Sequence, residues 1–358
     1  IAHLLRGGGG DPSFLIAGLP RNFPRPFHLG RDRWFVIEGD EYDSAFFDKR
    51  SKFIHYRPRI LVLNNLEFDH GDIFRDLADV SRAFDHLLRI VPGDGCVLLN
   101  GDDSNLAALP EPSWTSTLRV GLGPENDLRI TEFKEGPGGV VFRMLWHGDE
   151  VGEVRWNLPG EYNARNLAMA VLASALARSA AKGRELDFER NPFEDFVLPC
   201  FENCRGVKRR QEILVERDDL VVMSDFAHHP TAIAGALRSL QARWPEHRLV
   251  ACFEPRSNTA VTNVFQDEFT FALAEADEIL LGEVHRVERI HPDDRLDGQA
   301  MIRRLCEQGR TAEAFPANDA LGESLLARNF TSEGKTLLAF FSNGSFDGVI
   351  GKVAEELV

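Results

Sequence analysis

The sequence lacks any apolar run long enough to cross a membrane, and no positively charged, apolar leader opens it. Both absences argue against a membrane partner and point to a cytoplasmic protein. Cysteine is sparse. Cys96, Cys200, Cys204, Cys252 and Cys306 are odd in number, and their spacings match no zinc pattern. Reduced thiols follow, and a disulfide framework does not. Positive charge is in deficit, 41 Lys and Arg against 56 Asp and Glu, leaving a net charge of −15. That balance argues against a nucleic-acid backbone as partner. An acidic chain that handles phosphates must gather its positive charge locally or use metal ions. A start methionine and a first helix cap are also missing. Ile1–Arg6 reads as the tail of a helix stopped by the Gly7–Gly10 run, so the expectation is a chain that begins inside a domain.

What is present fits two domains: 358 residues, 43% apolar. The most informative stretch is 58–72. Ile60–Leu63 is a short continuous apolar run that reads as a parallel strand buried on both faces. Asn64, Asn65, Glu67, Asp69, His70 and Asp72 follow at once, where open α/β sheets bind ligands. Trp34–Ile37 is a second such run, ending in Glu38. A carboxylate at a strand end beside a nucleotide is a common Mg²⁺ ligand. Two neighbouring strands ending in Glu38 and His70 could share one metal–phosphate site. Solvated loop acids are the plain alternative.

Along the chain, Phe14–Gly18 reads as a strand, 21–33 as a loop and Asp43–Lys52 as a helix over the sheet. Phe74–Ile90 has helical periodicity, and Cys96–Leu99 is the next strand. Strand–helix–strand alternation implies a parallel sheet. Residues 118–158, including Leu118-Arg119-Val120, break into short alternating runs that read as an antiparallel meander. The Ala-rich run Leu167–Ala181 is a buried helix, with Asn163 and Asn166 at its start, able either to cap it or to read a purine edge. A boundary falls near 199–208, at Pro199, Cys200, Asn203 and Gly206. It divides the chain into 1–205 and 206–358. Beyond it, strands at Gln211–Val215, Leu220–Ser224, Leu249–Phe253, Glu278–Leu281 and Leu337–Phe341, with helices at 231–243 and 265–274, predict a second doubly wound unit. Asp225-Phe226-Ala227-His228-His229-Pro230 and Glu254-Pro255-Arg256-Ser257-Asn258-Thr259 are polar strand ends. Gly334-Lys335-Thr336 imitates the close of a phosphate-binding P-loop. Asn329 stands where that loop needs glycine, and a strand follows instead of a helix, so the stretch is a turn.

Taken together, Glu38–Phe53, Asn64–His70, Asp225–Thr231, Glu254–Thr259 and Ser342-Asn343-Gly344 resemble the Mur ligase superfamily, the ATP-dependent amide-bond ligases of peptidoglycan metabolism. The first and fourth blocks resemble its murein peptide branch. The resemblance implies a P-loop-type parallel-sheet ATPase domain, lacking its P-loop here, followed by a C-terminal Rossmann-like α/β domain. It implies ATP and Mg²⁺ as cofactors, and UDP-N-acetylmuramate and a murein tripeptide as substrates. The implied reaction activates the muramate carboxylate as an acyl phosphate, which the peptide's amine then attacks. Closure of one domain on the other is the expected gate.

By the same resemblance Glu38 and His70 are Mg²⁺ ligands, and Asn163 and Asn166 lie by the adenine. Arg210 meets ATP phosphate or ribose, and Asp225 holds the ribose or supports that contact. His228, Arg256, Ser257 and Asn258 face the peptide or the muramate carboxylate. Arg209-Arg210 could equally be a solvated strand edge, and His228-His229 a helix entry. The family's Gly-x-x-Gly-Lys-Thr-Thr loop and its uridine-nucleotide domain are absent, Tyr162 stands where many relatives have His, and Leu77–Arg89 holds no lysine for carbamylation. The expectation is that this stretch alone is inactive. Two alternatives remain: an L-alanine-adding ligase of the same superfamily, and a non-catalytic nucleotide-binding protein.

Overall fold

Alternating strand and helix patterns build two units, Ile1–Val207 and Lys208–Val358. The computed structural model describes residues 1–358 apart from 182–185, 187, 189, 195, 197–200, 202 and 331–333. Pro199 and Cys200 of the expected boundary, and Glu333 before the Gly-Lys-Thr turn, lie outside the described residues.

The first unit opens with α1 (Ala2–Gly7), which ends on glycines; Gly9 takes φ +86°, a conformation glycine adopts without strain. Strands β1 (Ser13–Leu15), β2 (Phe27–His28) and β3 (Phe35–Ile37) form a small sheet in the order β2-β1-β3. Residues 21–33 thus contain a two-residue strand within the expected loop. The helix expected at Asp43–Lys52 does not form. Strands β4 (Asp43–Ala45) and β5 (Asp48–Ser51) make a hairpin, with Phe46 and Phe47 at its tip, 93% and 91% exposed. Two adjacent phenylalanines give a helix no apolar stripe to lay on a sheet.

The main sheet runs β11-β10-β9-β8-β7-β6. Its strands are β6 (Ile60–Leu63), β7 (Cys96–Asn100), β8 (Ser116–Gly121), β9 (Leu128–Gly136), β10 (Gly139–Trp146) and β11 (Asp149–Trp156). The helices are α2 (Leu77–Leu88), α3 (Ser104–Ala107) and α4 (Glu161–Ala181). Two expectations change. Strand β6 is an edge strand with alternating burial, Leu61 and Leu63 inward and Ile60 and Val62 half-buried, because it pairs only with β7. Leu118-Arg119-Val120 belongs to β8, which is parallel to both neighbours, so the antiparallel part comprises only β9, β10 and β11. Asp76 starts α2 by accepting a hydrogen bond from Asp79 N at 2.8 Å. Helix α4 is buried nearly all round. Its alanines, among them Ala164, Ala168, Ala173 and Ala177, let it sit close on the sheet, and Trp34 Nε1 donates to Ala177 O at 2.9 Å.

The second unit contains β12 (Glu212–Glu216), β13 (Leu220–Asp225), α5 (Pro230–Arg243), β14 (Arg248–Phe253), α6 (Gln266–Leu273) and β15 (Glu278–Leu281). It continues through α7 (Gly298–Glu307), β16 (Thr311–Ala314), α8 (Asn318–Leu326), β17 (Thr336–Phe341) and α9 (Val349–Glu356). The sheet order is β12-β13-β17-β14-β15-β16, parallel except for β12. Alternate residues of β17 serve opposite cores. Leu337, Ala339 and Phe341 pack with Leu237, Phe269 and Leu305, from α5, α6 and α7. Leu338 and Phe340 pack with Leu321, Leu325 and Val353, from α8 and α9. Both faces are therefore covered, which makes this a doubly wound sheet. Its order reverses around β17, and the carboxyl ends of β13, β17 and β14 lie side by side.

Candidate functional site

Each unit gathers polar side chains at its strand ends. In the first, Asn64 leaves β6 and its Nδ2 donates to Asn166 Oδ1 on α4. Asn166 Nδ2 reaches Asn163 Oδ1 at 3.4 Å, and Asn163 Nδ2 donates to Pro159 O at 2.6 Å. Asn100, at the end of β7, donates to Asn64 O at 3.0 Å. The helix starts at Glu161, so Asn163 and Asn166 lie inside it on one side; Asn163 donates backwards instead of accepting as a cap does. Asn64 Oδ1 is buried without a hydrogen-bond partner, an acceptor that a ligand's amino group could satisfy.

Glu38 and His70 follow strands of two different sheets. Glu38 ends a strand of the small sheet, is exposed, and accepts from Ala17 N at 2.9 Å. His70 follows β6 of the main sheet, at φ +53°. Its Nε2 lies 2.5 Å from Glu41 Oε1, and Tyr42 OH is 2.8 Å from its Nδ1. Burial resists charging of His70, but Glu41 and then Asp69 and Asp72 outweigh it, so its pKa is raised. Burial, with Asp72, Asp69 and Glu41, pushes the Tyr42 hydroxyl up to about 12. Among the described residues no group of three His, Cys, Asp or Glu side chains could hold a metal ion. Mg²⁺ beside a nucleotide takes only one or two protein ligands, the rest being phosphate and water, so Glu38 and His70 remain candidates to hold it. Glu41 and Tyr42, the partners of His70, went unnoticed in the sequence because their own strand-end reading centred on Glu38.

In the second unit the three adjacent strand ends converge. Asp225 closes β13, almost fully buried, and accepts from Ala227 N at 2.7 Å and Gln211 N at 3.1 Å. Burial raises its pKa, against the backbone bonds and the charges of Arg210 and Arg209. The two arginines separate in role. Arg209, at φ +59°, donates from Nη2 to Ser342 O at 2.7 Å and to Gly344 O. Arg210 is exposed and lies over the Phe226 ring, 5.1 Å from its centroid. His228 Nδ1 donates to Phe226 O at 2.9 Å, which fixes the proton on that nitrogen. Ser257 Oγ accepts from Ala260 N at 3.1 Å and so shapes its own loop, while Asn258 is exposed beside it.

Glu254, 1% exposed, is the hub. Oε1 accepts from Arg256 Nη1 at 3.1 Å and Asn318 Nδ2 at 2.9 Å; Oε2 accepts from Ser342 Oγ and from Phe346 N at 3.2 Å. Arg256 Nη1 also reaches Asp347 Oδ1 at 3.3 Å, and Asn318 Nδ2 reaches Asp347 Oδ2 at 2.8 Å. Asn318 and Asp347 carried no sequence signal beyond an Asp-Gly turn, because their partners lie up to 91 residues away.

Residues 30–174 match the Mur ligase middle domain, and 209–340 match the Mur ligase glutamate ligase domain. The UDP-N-acetylmuramate–L-alanyl-γ-D-glutamyl-meso-2,6-diaminoheptandioate ligase of Haemophilus influenzae is 34% identical over 371 residues, spanning 100% of this chain and 73% of that protein. The chain belongs to the Mur ligase family. The Escherichia coli protein of the same description is 40% identical over 276 residues, 76% of this chain and 56% of its own length. This Mur ligase chain thus matches little more than half the length of that relative. Among solved structures, a murein peptide ligase from Psychrobacter arcticus superposes with a TM-score of 0.66 at 27% identity, covering 99% of this chain and 73% of that one. The two parallel-sheet units are those of the Mur ligase fold. Gly334 and Lys335 form a turn before β17, with Lys335 Nζ 2.7 Å from Glu246 Oε2, and take no part in either strand-end cluster.

Proposed function

We propose that the full-length protein is an ATP-dependent ligase that joins L-alanyl-γ-D-glutamyl-meso-diaminopimelate to UDP-N-acetylmuramate. The likeness to the E. coli and H. influenzae ligases carries this reading. In it the first unit holds ATP and the second holds the amino substrate. The γ-phosphoryl group passes to the muramate carboxylate, ADP departs, and the peptide's free amine displaces phosphate from the acyl phosphate to leave an amide. Phosphoryl transfer depends mostly on positioning and on fixed charge around the moving oxygens.

The residues divide accordingly. Asn163 and Asn166 sit where they can read the adenine edge, with Asn64 Oδ1 as a further open acceptor. Arg210, exposed over the Phe226 ring and near the Asp225 charge, is the cation offered to phosphate, and Arg209 is the one committed to structure. Asp225 steadies the turn that carries Arg210 through its bond to Gln211 N. His228, Arg256, Ser257 and Asn258 line the end of the sheet assigned to the peptide. Bound Mg²⁺ would supply positive charge against the phosphate oxygens. Glu38 and His70 would hold it, and His70 would first leave Glu41 or Tyr42.

The test is ADP release by the full-length gene product with UDP-N-acetylmuramate, ATP and Mg²⁺, adding either the tripeptide or L-alanine. Tripeptide-dependent release is expected. Release with L-alanine alone would assign the protein to the alanine-adding ligases. No release with either would favour a nucleotide-binding protein without ligase activity.

A further inference from the structure

Arg256 is held by one nitrogen only. Nη1 makes both of its ion-pair contacts, to Glu254 and Asp347, while Nε and Nη2 donate to nothing among the described residues. Its side chain is 27% exposed. One edge of the guanidinium is therefore anchored and the other left open, as bidentate capture of a carboxylate requires. Two features fix that pose. Gly344 gives it room: a Cβ there would come 2.1 Å from Arg256 Cδ and 2.5 Å from Nε. Asp347 pins it from the solvent side, its second oxygen tied to buried Asn318. Asp347 is itself presented by backbone of an uncommon kind: Phe346, Asp347 and Gly348 have φ of +49°, +52° and +94° in succession. Two of these are not glycine, and such strain persists where the surroundings over-determine it. The same loop carries Asn343 Oδ1, buried and unpaired, an acceptor a bound donor would satisfy.

We propose that Asp347 and Gly344 are positioning residues that set Arg256 to read a carboxylate of the amino substrate. This rests on the reading above in giving the second unit the amino substrate. Arg256 can turn its open edge to the substrate only while Asp347 prevents it from folding down onto Glu254 alone.

The test uses the full-length protein and the ADP-release assay. Asp347→Ala should raise KM for the amino substrate about tenfold, the scale of one charge-assisted contact, with kcat and KM for ATP unchanged. Asp347→Asn, which keeps the acceptor, should recover part of it. Arg256→Ala should raise the same KM further, and adding Asp347→Ala to it should change nothing more, since a positioning residue has nothing left to position. An unchanged KM in Asp347→Ala, or additive effects in the double variant, would overturn the proposal. The wild-type response to tripeptide or L-alanine decides the broader reading separately, because either substrate offers a carboxylate to Arg256. If neither is accepted, the Arg256 Nη resonances decide. Slow rotation of the guanidinium, seen as separate Nη1 and Nη2 signals in wild type and lost in Asp347→Ala, supports the anchoring, and identical spectra in both refute it.

Discussion

Beside the end of β6 three asparagines form a neutral chain: Asn64 to Asn166, Asn166 to Asn163, Asn163 to a backbone carbonyl. At the ends of β13, β14 and β17 they converge on one buried carboxylate, which takes an arginine, an amide, a hydroxyl and a backbone N–H. The two constructions suit different tasks. Neutral amides can exchange partners with a ligand at small cost, since each bond is worth about 1 kcal/mol net. A buried charge cannot, because any partner it loses leaves it poorly compensated. The first cluster is built to be re-paired, and the second to hold a side chain still.

Removing the hub is the hardest test of that contrast. Glu254→Ala should destabilise the second unit by about 3–5 kcal/mol, because it strands Arg256, Asn318 and Ser342 together. Trp244, the single tryptophan beyond residue 207, reports that unit by fluorescence in urea. A loss under about 1 kcal/mol would erase the distinction between the clusters. Gly344→Ala should cost about 1–3 kcal/mol by overpacking against Arg256.

Next comes pH. Asp225 has a raised pKa in the folded protein, so its folded form takes up a proton at a pH where the unfolded chain is still ionised. Its contribution is full below the ordinary 3.8 and is lost as pH rises through the raised value. The Trp244-detected midpoint should therefore gain from this group as pH falls toward 4, and Asp225→Asn should flatten that trend. Asp102 behaves oppositely. Burial pushes its pKa up, but Leu122 N, Gly123 N, Asn126 and Arg165 bring it below 3.8. Its contribution is present above 3.8 and is lost as pH falls through the depressed value. The two units should thus diverge in acid.

Asn64→Ala should cost at most about 1 kcal/mol in urea, while weakening ATP binding measured calorimetrically on the full-length protein. Phe46→Ser, at the exposed hairpin tip, should fall within about 0.5 kcal/mol of wild type.

The sheets were legible in the sequence because each core strand is a short apolar run stopped by polar residues. Leu220–Asp225 and Thr336–Phe341 are buried along their whole length, and their turn signals place them to within a residue or two. Thr311–Ala314 escaped because, as the outermost strand, it is half-exposed and carries no continuous apolar run. The helix reading of 43–51 fails because two adjacent phenylalanines form no helical stripe, and they stand exposed at a hairpin tip instead. At the sites, residue types were legible and pairings were not. His70 meets Glu41, and Arg209 turns to backbone while its neighbour stays exposed. Pairing depends on register between strands far apart in sequence, which no local pattern encodes.

The position of β17 has a consequence in time. It lies between β13 and β14, bonded to both along its length, yet of the strands in this sheet it is made last. As the chain leaves the ribosome, β13 and β14 emerge more than 80 residues earlier with the slot between them open. Until 336–341 arrive, two apolar edges stay unpaired, the loop bridging Arg209 and Arg256 does not exist, and Glu254 lacks its hydroxyl and N–H donors. This unit must therefore fold only after residues 336–341 have been made, and a nascent chain halted before residue 336 should be a client for chaperones that shield sheet edges.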